Sequence, residues 1–216
     1  MKKAFIFAPM LATGLVLSAC RSEPAAAPLA AEPLHEQLLN AEESGIENVI
    51  TANDTSLTGE AVPLAVVNDA GKFEGACGEA LQAAEEAELP TVASAARTYD
   101  VGEGTVSIAL ISNPEDNEVS VVDLYSEIAN SCTEPLNDVD TGAEYTISSL
   151  KNPSEDATGF NYDISVTPGN EATTVMMLQK IGNHHVIVAG LDTDEATTKT
   201  LFDAQVAKLT TALEGA

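Results

Sequence analysis

The sequence predicts an α+β domain: an antiparallel sheet of about six strands, helices packed mainly on one face, and one disulfide. Three observations predict it. Phe160, Tyr162, Ile164 and Val166 alternate with Asn161, Asp163 and Ser165, the period-two pattern of a strand with one wet face. Val122, Tyr125, Ala129 and Cys132, and later Phe202, Val206, Leu209 and Leu213, fall at intervals of three and four, the stripe of a helix lying on a core. Gly182-Asn183 between two apolar runs is a two-residue hairpin loop. Strands and amphipathic helices of this kind bury each other best as layers.

The chain opens on a leader. Lys2 and Lys3 precede an apolar run from Ala4 to Val16, closed by Leu17-Ser18-Ala19-Cys20. A charged start, a short apolar stretch and small residues at the cut form a secretory signal. Spanning a membrane takes about 20 apolar residues, and Pro9 and Gly14 interrupt this shorter run. The Cys directly after the small residues resembles the bacterial lipobox. That resemblance implies a diacylglyceryl group on Cys20, removal of residues 1–19, and attachment to the outer face of the cell membrane. Two acyl chains hold a protein stably where one does not. From Cys20 to Pro33 the chain is mostly Ala and Pro, which suits an extended spacer. A single extracytoplasmic domain is expected over 34–216.

Within that domain Leu34, Leu38 and Leu39 predict a short helix ending by Gly45. Residues Asn53 to Gly59 are turn-rich. Val62 to Val67 has strand length, with Pro63 placing it at an edge. Leu81, Ala84 and Ala87 predict a helix over about 79–88, stopping before Pro90. Val92–Tyr99 and Thr105–Ser112 predict two strands joined at Gly102-Glu103-Gly104. Asn113 as cap, Pro114 at the first helical position and Glu115 and Asp116 after it predict the start of the helix that ends at Cys132. Tyr145–Leu150, Phe160–Val166, Thr173–Ile181 and His184–Gly190 predict four more strands. Pro168-Gly169-Asn170 is expected to turn the chain between the second and third. Asp192 with Glu195 forms a capping box, with Leu191 stapled on Ala196, and opens the final helix.

Composition excludes whole classes of partner. The chain has 9 Lys and Arg against 34 Asp and Glu, and the leader holds two of those lysines and no acid. Nucleic acid is excluded, because binding it needs cations to neutralise phosphates. Anionic headgroups would repel the same surface, so lipid and not protein must hold it to a membrane. Once Cys20 is lipidated only Cys77 and Cys132 remain. An even pair in an exported domain is expected to form a bridge.

Signs of catalysis are few. No nucleophile elbow, phosphate loop, dinucleotide fingerprint or H-E-x-x-H occurs. The histidines are His35, His184 and His185. The last two are neighbours in a strand, so they point to opposite faces and cannot chelate one metal together; one is expected in the core or at an edge and the other in solvent. Asp138, Asp140, Gly142 and Glu144 suggest a calcium loop, but its twelfth position, counted from Asp138, is Ser149, where a bidentate Glu is required. Met176 and Met177 suit core or an adaptable apolar pocket. No cofactor, metal site or catalytic residue is expected.

One resemblance covers about Leu34 to Gly215. Leu38-Leu39 at the opening, Gly75-Ala76-Cys77-Gly78, a strand then a helix ending at Cys132, and a last antiparallel strand leading into Phe202 to Leu213 resemble the extracellular sensor domain of mycobacterial-type membrane serine/threonine kinases, a domain also found in actinobacterial lipoproteins. It implies an antiparallel sheet flanked by helices, disulfide-bonded, with a cleft for an unidentified ligand. This sequence has one available cysteine pair where that family commonly has two. The functional expectation is a non-enzymatic, sensor-like lipoprotein binding a small or lipidic ligand or an envelope component. The alternative is a protein-binding scaffold of a membrane or wall complex, and a hydrolase ranks last.

Overall fold

The computed structural model describes residues 27–46, 50–151, 153–167 and 170–215. The leader, the lipidation site at Cys20, and Pro168-Gly169 of the expected turn lie outside the described residues. Helix α1 (Ala31–Glu36) begins within the stretch expected as spacer. Leu34, Leu38 and Leu39 are buried, and burying them draws the preceding residues into the domain.

The remaining elements are β1 (Ile50–Thr58), β2 (Val62–Pro63), α2 (Gly75–Glu86), β3 (Glu88–Leu89), β4 (Ala93–Val101), β5 (Gly104–Ser112), α3 (Val121–Ser131), β6 (Leu136–Asn137), β7 (Glu144–Ser149), β8 (Thr158–Thr167), β9 (Asn170–Ile181), β10 (His184–Leu191) and α4 (Glu195–Glu214). Eight strands form one antiparallel sheet in the order β1-β4-β5-β10-β9-β8-β7-β6, and β2 and β3 pair separately. The α+β class, the antiparallel sheet and the disulfide are as the sequence predicts. The strand count is larger, because Leu136–Asn137 forms a short edge strand, β6, and the turn-rich segment from Asn53 is β1, an edge strand exposed along its whole length. Pairing with β4 overrides its weak strand composition. The expected strand from Val62 is only two residues long.

The helices divide between the two faces instead of crowding one. Phe202 and Leu209 of α4, with Leu34, cover Val106, Ile108, Leu110, Val186 and Val188. Leu81 of α2 with Tyr125 and Ile128 of α3 cover Ile111, Ile147, Phe160 and Leu178 on the opposite face. Adjacent residues of β9, Met177 and Leu178, therefore lie in different cores. A central strand with apolar residues at both parities needs cover on both sides.

Cys77 is bonded to Cys132, with Cα atoms 4.6 Å apart, joining the first turn of α2 to the end of α3. Closing a loop of 55 residues removes unfolded-chain entropy worth about 4 kcal/mol. Two helix starts differ from expectation. Ser120, not Asn113, caps α3, accepting a bond from the Asp123 amide at 3.3 Å. Asn113 is occupied elsewhere: its Nδ2 donates to the Pro90 carbonyl at 2.7 Å, and its Oδ1 faces His185 Nδ1 at 2.7 Å. Asp194, not Asp192, caps α4, accepting from the Thr197 amide at 2.9 Å. Leu191 is 44% exposed, so it staples nothing.

His184 and His185 point to opposite faces as expected, but both are fully buried, and neither is solvated. The sheet carries a layer on each side at this point, so no face of β10 is wet here. His184 Nε2 accepts from the Leu29 amide at 3.3 Å, tying the start of the domain to the central sheet. Burial holds both imidazoles below their ordinary pKa, His185 down to about 4, with Lys180 and then His184 adding to the effect there.

An unfolded His185 takes up a proton near 6.5, whereas the folded one does so only at about 4. Between those values the unfolded chain binds more protons, so stability is full above the upper value and falls as pH drops toward the lower one. At about 1.4 kcal/mol per unit, the loss is on the order of 3 kcal/mol. Urea midpoints measured from pH 7 to pH 4 should fall steadily; a flat profile would contradict the buried, uncharged assignment.

Candidate functional site

The helices of the described residues leave part of each sheet face open. On the face that carries α4, the open part lies over β7, β8 and β9, where Glu144, Asp163 and Glu171 stand among Thr146, Ser165 and Thr173 around a shallow hollow of about 340 Å³. It is an acidic surface. On the face that carries α2 and α3, register places Thr98 opposite Ser107, Ser107 opposite Ala189, Leu191 opposite Thr174, and Thr174 opposite Tyr162. None of these six side chains is charged; Asp100, which shares the Leu191 row through Thr105 and is exposed, flanks Thr98 at the β4 end. Thr98 Oγ1 and Ser107 Oγ are 2.9 Å apart, a cross-strand hydroxyl pair.

This uncharged strip runs into a second hollow of about 420 Å³ at its β7–β8 end. Tyr145, Tyr162 and Ile164 form its sheet side, and Val66, Val67 and Asn68 its wall. The two tyrosine rings are stacked, 5.9 Å between centroids and 7° between planes, and Phe73 meets Tyr145 edge-on at 5.7 Å. Burial, and then the neighbouring Tyr145 phenol, push the Tyr162 hydroxyl above its ordinary range. It stays a neutral donor and acceptor at any physiological pH.

Lys72 and Asp138 close the rim, Nζ to Oδ2 at 2.7 Å. The Lys72 bond, then the Thr141 hydroxyl, hold the Asp138 carboxylate well below the usual range, and the same bond raises Lys72. Asp138 has little exposed surface, covered by its own turn and not sunk in a core. Its Oδ1 accepts the Asp140 and Thr141 amides at 2.9 and 3.3 Å. The calcium-like spacing is thus a self-capped turn whose carboxylate already holds a lysine. Among the described residues no group of three or more His, Cys, Asp or Glu gathers as metal ligands.

The wall is positioned from α2. Both oxygens of Glu85 accept backbone amides, from Asp69 and Ala70, each at 2.8 Å. Asp69 is held in a left-handed conformation, φ 54°, which turns the chain over the edge of the sheet. Met176 reaches the open face half-buried while Met177 is buried in the α4 layer, so the methionine pair is divided between surface and core. His35 lies 2.7 Å from Asp54 at the far edge. None of the three histidines lines the second hollow. Sequence reasoning missed Lys72, Tyr145 and Tyr162 as a group. The alternation places each tyrosine on the apolar face of its strand, and only the register between β7 and β8 makes them neighbours.

The fold is thus a disulfide-bonded α+β domain with one large antiparallel sheet and helices on both faces. The extracellular domain of PknH from Mycobacterium tuberculosis is similar in fold, with 12% sequence identity over 88% of this chain and 98% of that one and a TM-score of 0.52. An uncharacterised protein from Mycobacterium smegmatis, an Rv0999 ortholog, has 15% identity over 76% of this chain and 88% of its own, with a TM-score of 0.44. No protein-family model matches the chain, and no curated protein sequence does. The expected resemblance to a mycobacterial kinase sensor domain holds at the level of fold.

The rim turn yields a direct expectation. Asp138→Ala removes the acceptor of two amides and the partner of Lys72, so hydrogen exchange at Asp140 and Thr141 should speed up while the central strands stay protected. Unchanged exchange at both amides would show that the turn holds without its carboxylate.

Proposed function

We propose that this chain is a non-enzymatic binding domain on the outer face of the cell membrane, held there by lipid on Cys20, with its ligand seated in the hollow over Tyr145 and Tyr162. One observation carries the reading. A concavity of ligand size gathers stacked aromatic rings, apolar walls, an amide and a carboxylate with a displaced pKa, the combination by which binding sites are recognised. The lipobox-like run ending at Cys20, the acidity of the chain and a bridge that forms in oxidising compartments support an extracytoplasmic setting. No helix of the described residues is long and apolar enough to cross a membrane, and the lipid on Cys20 supplies the anchor in this reading. Catalysis draws no support from the geometry. His184 and His185 are enclosed in two separate cores, and His35 is engaged with Asp54.

The test is native mass spectrometry of the full chain purified from its host, beside a denatured sample and beside Tyr145→Ala. A reproducible extra mass, absent from the variant, is the expected result. A bare chain in both would overturn the ligand reading and favour the scaffold. In the same cells Cys20→Ala should move the protein from membrane to soluble fractions, and retention on the membrane would remove the lipid anchor from the proposal.

A further inference from the structure

Resting on that binding reading, we infer that the ligand is an uncharged, extended glycan, lying across the strands from the Thr98–Ser107 pair to the tyrosine hollow. Three features select it. Charge comes first: a chain with 34 acidic residues against 9 basic ones repels anionic polymers. The strip offers no cation to hold an anionic occupant, and the carboxylates beside it, Asp100 at its β4 end and Asp69 at the hollow, repel one. Lys72, the cation at the rim, is already neutralised by Asp138.

Chemistry comes second. Along the strip hydroxyls alternate with methyl groups, Thr98, Ser107 and Thr174 against Ala96, Ala109 and Ala189, all half-buried, with the more exposed Leu191 between the two groups. An acyl chain laid there would cover hydroxyl groups without supplying partners, which costs free energy. An extended peptide finds its best partners at a strand edge and not on a sheet face. A polyhydroxylated, uncharged chain supplies donors and acceptors to the hydroxyls and C–H surface to the methyls. The phenols of Tyr145 and Tyr162, the Asn68 amide and the Thr141 hydroxyl continue the same chemistry inside the hollow.

Shape comes third. From β4 to β7 the strip crosses six strands, in the order β4-β5-β10-β9-β8-β7. At about 4.8 Å between neighbours the path is roughly 24 Å long. That spacing is close to the advance of one sugar along an extended glycan, so each strand meets about one sugar, through a hydroxyl on β4, β5, β9 and β8 and through the apolar Ala189 and Leu191 on β10. The carboxylates of the other open region, Glu144, Asp163 and Glu171, sit on the opposite face. They leave the path clear.

The experiment titrates the full chain carrying Cys20→Ala with linear neutral oligosaccharides built from glucose, mannose, galactose or arabinose, and follows amide shifts by NMR. An oligogalacturonate, a fatty acid and a basic peptide form the comparison arms. The expected result is binding of at least one neutral series, with affinity rising to about five sugars and shifts from Thr98 through Tyr162. Ser107→Asp should weaken it by about tenfold, the scale of one missing hydrogen bond and one unpaired charge, while Thr146→Ala on the opposite face leaves it unchanged. If a comparison ligand or the co-purified mass occupies the hollow and no neutral series does, the glycan assignment is overturned and the binding reading survives. Neutral binding that ignores Ser107→Asp overturns the path across the strip. No occupant in any arm, with no co-purified mass, overturns both.

Discussion

A sheet of eight strands has two faces, and the helices of the described residues cover only part of each. Everything else in this structure follows from how those parts are chosen. α4 and α1 shield β4, β5, β10 and β9 on one face, while α2 and α3 shield β9, β8, β7 and, at Ile111 and Ile187, one end of β5 and β10 on the other. β9 and one end of β5 and β10 are covered on both faces, β7 and β8 on one, and β1 on neither. The stagger leaves two diagonal open regions, and the chain's charge separates them. One carries Glu144, Asp163 and Glu171; the other carries threonine, serine, alanine, leucine and tyrosine, with Asp100 at its β4 end. With 34 acidic residues to place, a path across six strands flanked at that end by a single exposed carboxylate, Asp100, is a departure from the acidic open region on the other face.

The doubly buried strands explain the histidines. β10 lies at the middle of the sheet, so consecutive residues enter different cores, and neither His184 nor His185 can reach solvent. Each must find what partners the interior supplies. His185 uses the Asn113 amide, which in turn holds the Pro90 carbonyl. His184 uses the backbone of Leu29, which fastens the segment nearest the expected tether to the centre of the sheet. The same strand therefore couples both layers to one acid-sensitive position, where charging either ring would introduce an ion into apolar packing.

Much of the fold was legible because its strongest signals are periodic. β8, β9, β10 and α4 fall close to where alternation and helical spacing place them, and the bridge follows from two available cysteines. What was not legible depends on partners distant in sequence. Asn53-Asp54-Thr55-Ser56 has the composition of a turn and becomes a strand because β4 offers it a ladder and Arg97 offers Asp54 an ion pair at 2.7 Å. Asn113-Pro114 has the local grammar of a helix start, yet the Asn113 side chain is taken by His185, 72 residues away. The division of helices between faces was hidden for the same reason. Ile111 and Ile187 interrupt an otherwise one-sided alternation, and only the assembled sheet shows that they need a second layer. The site was the least legible part, since Tyr145 and Tyr162 become a pair through register and Lys72 joins them through a loop.

That loop shows how the bridge serves the site as well as the fold. Cys77–Cys132 fixes the first turn of α2 against the end of α3, and α3 is seated on β8 through Tyr125 and Phe160, whose ring centroids lie 5.7 Å apart. With both ends of this arrangement fixed to the sheet, Glu85 near the other end of α2 has a defined height above it. Its carboxylate takes the amides of Asp69 and Ala70, and those two residues set where Asn68 and Lys72 stand at the rim. Lys72 then reaches Asp138, whose carboxylate shapes the turn on the opposite side. The walls of the hollow thus descend from one covalent bond through one helix and two carboxylates, with no long unsupported segment between. Walls held this way would lose little conformational freedom on filling, so in the proposed reading the contacts made there would count toward affinity and not toward ordering the protein.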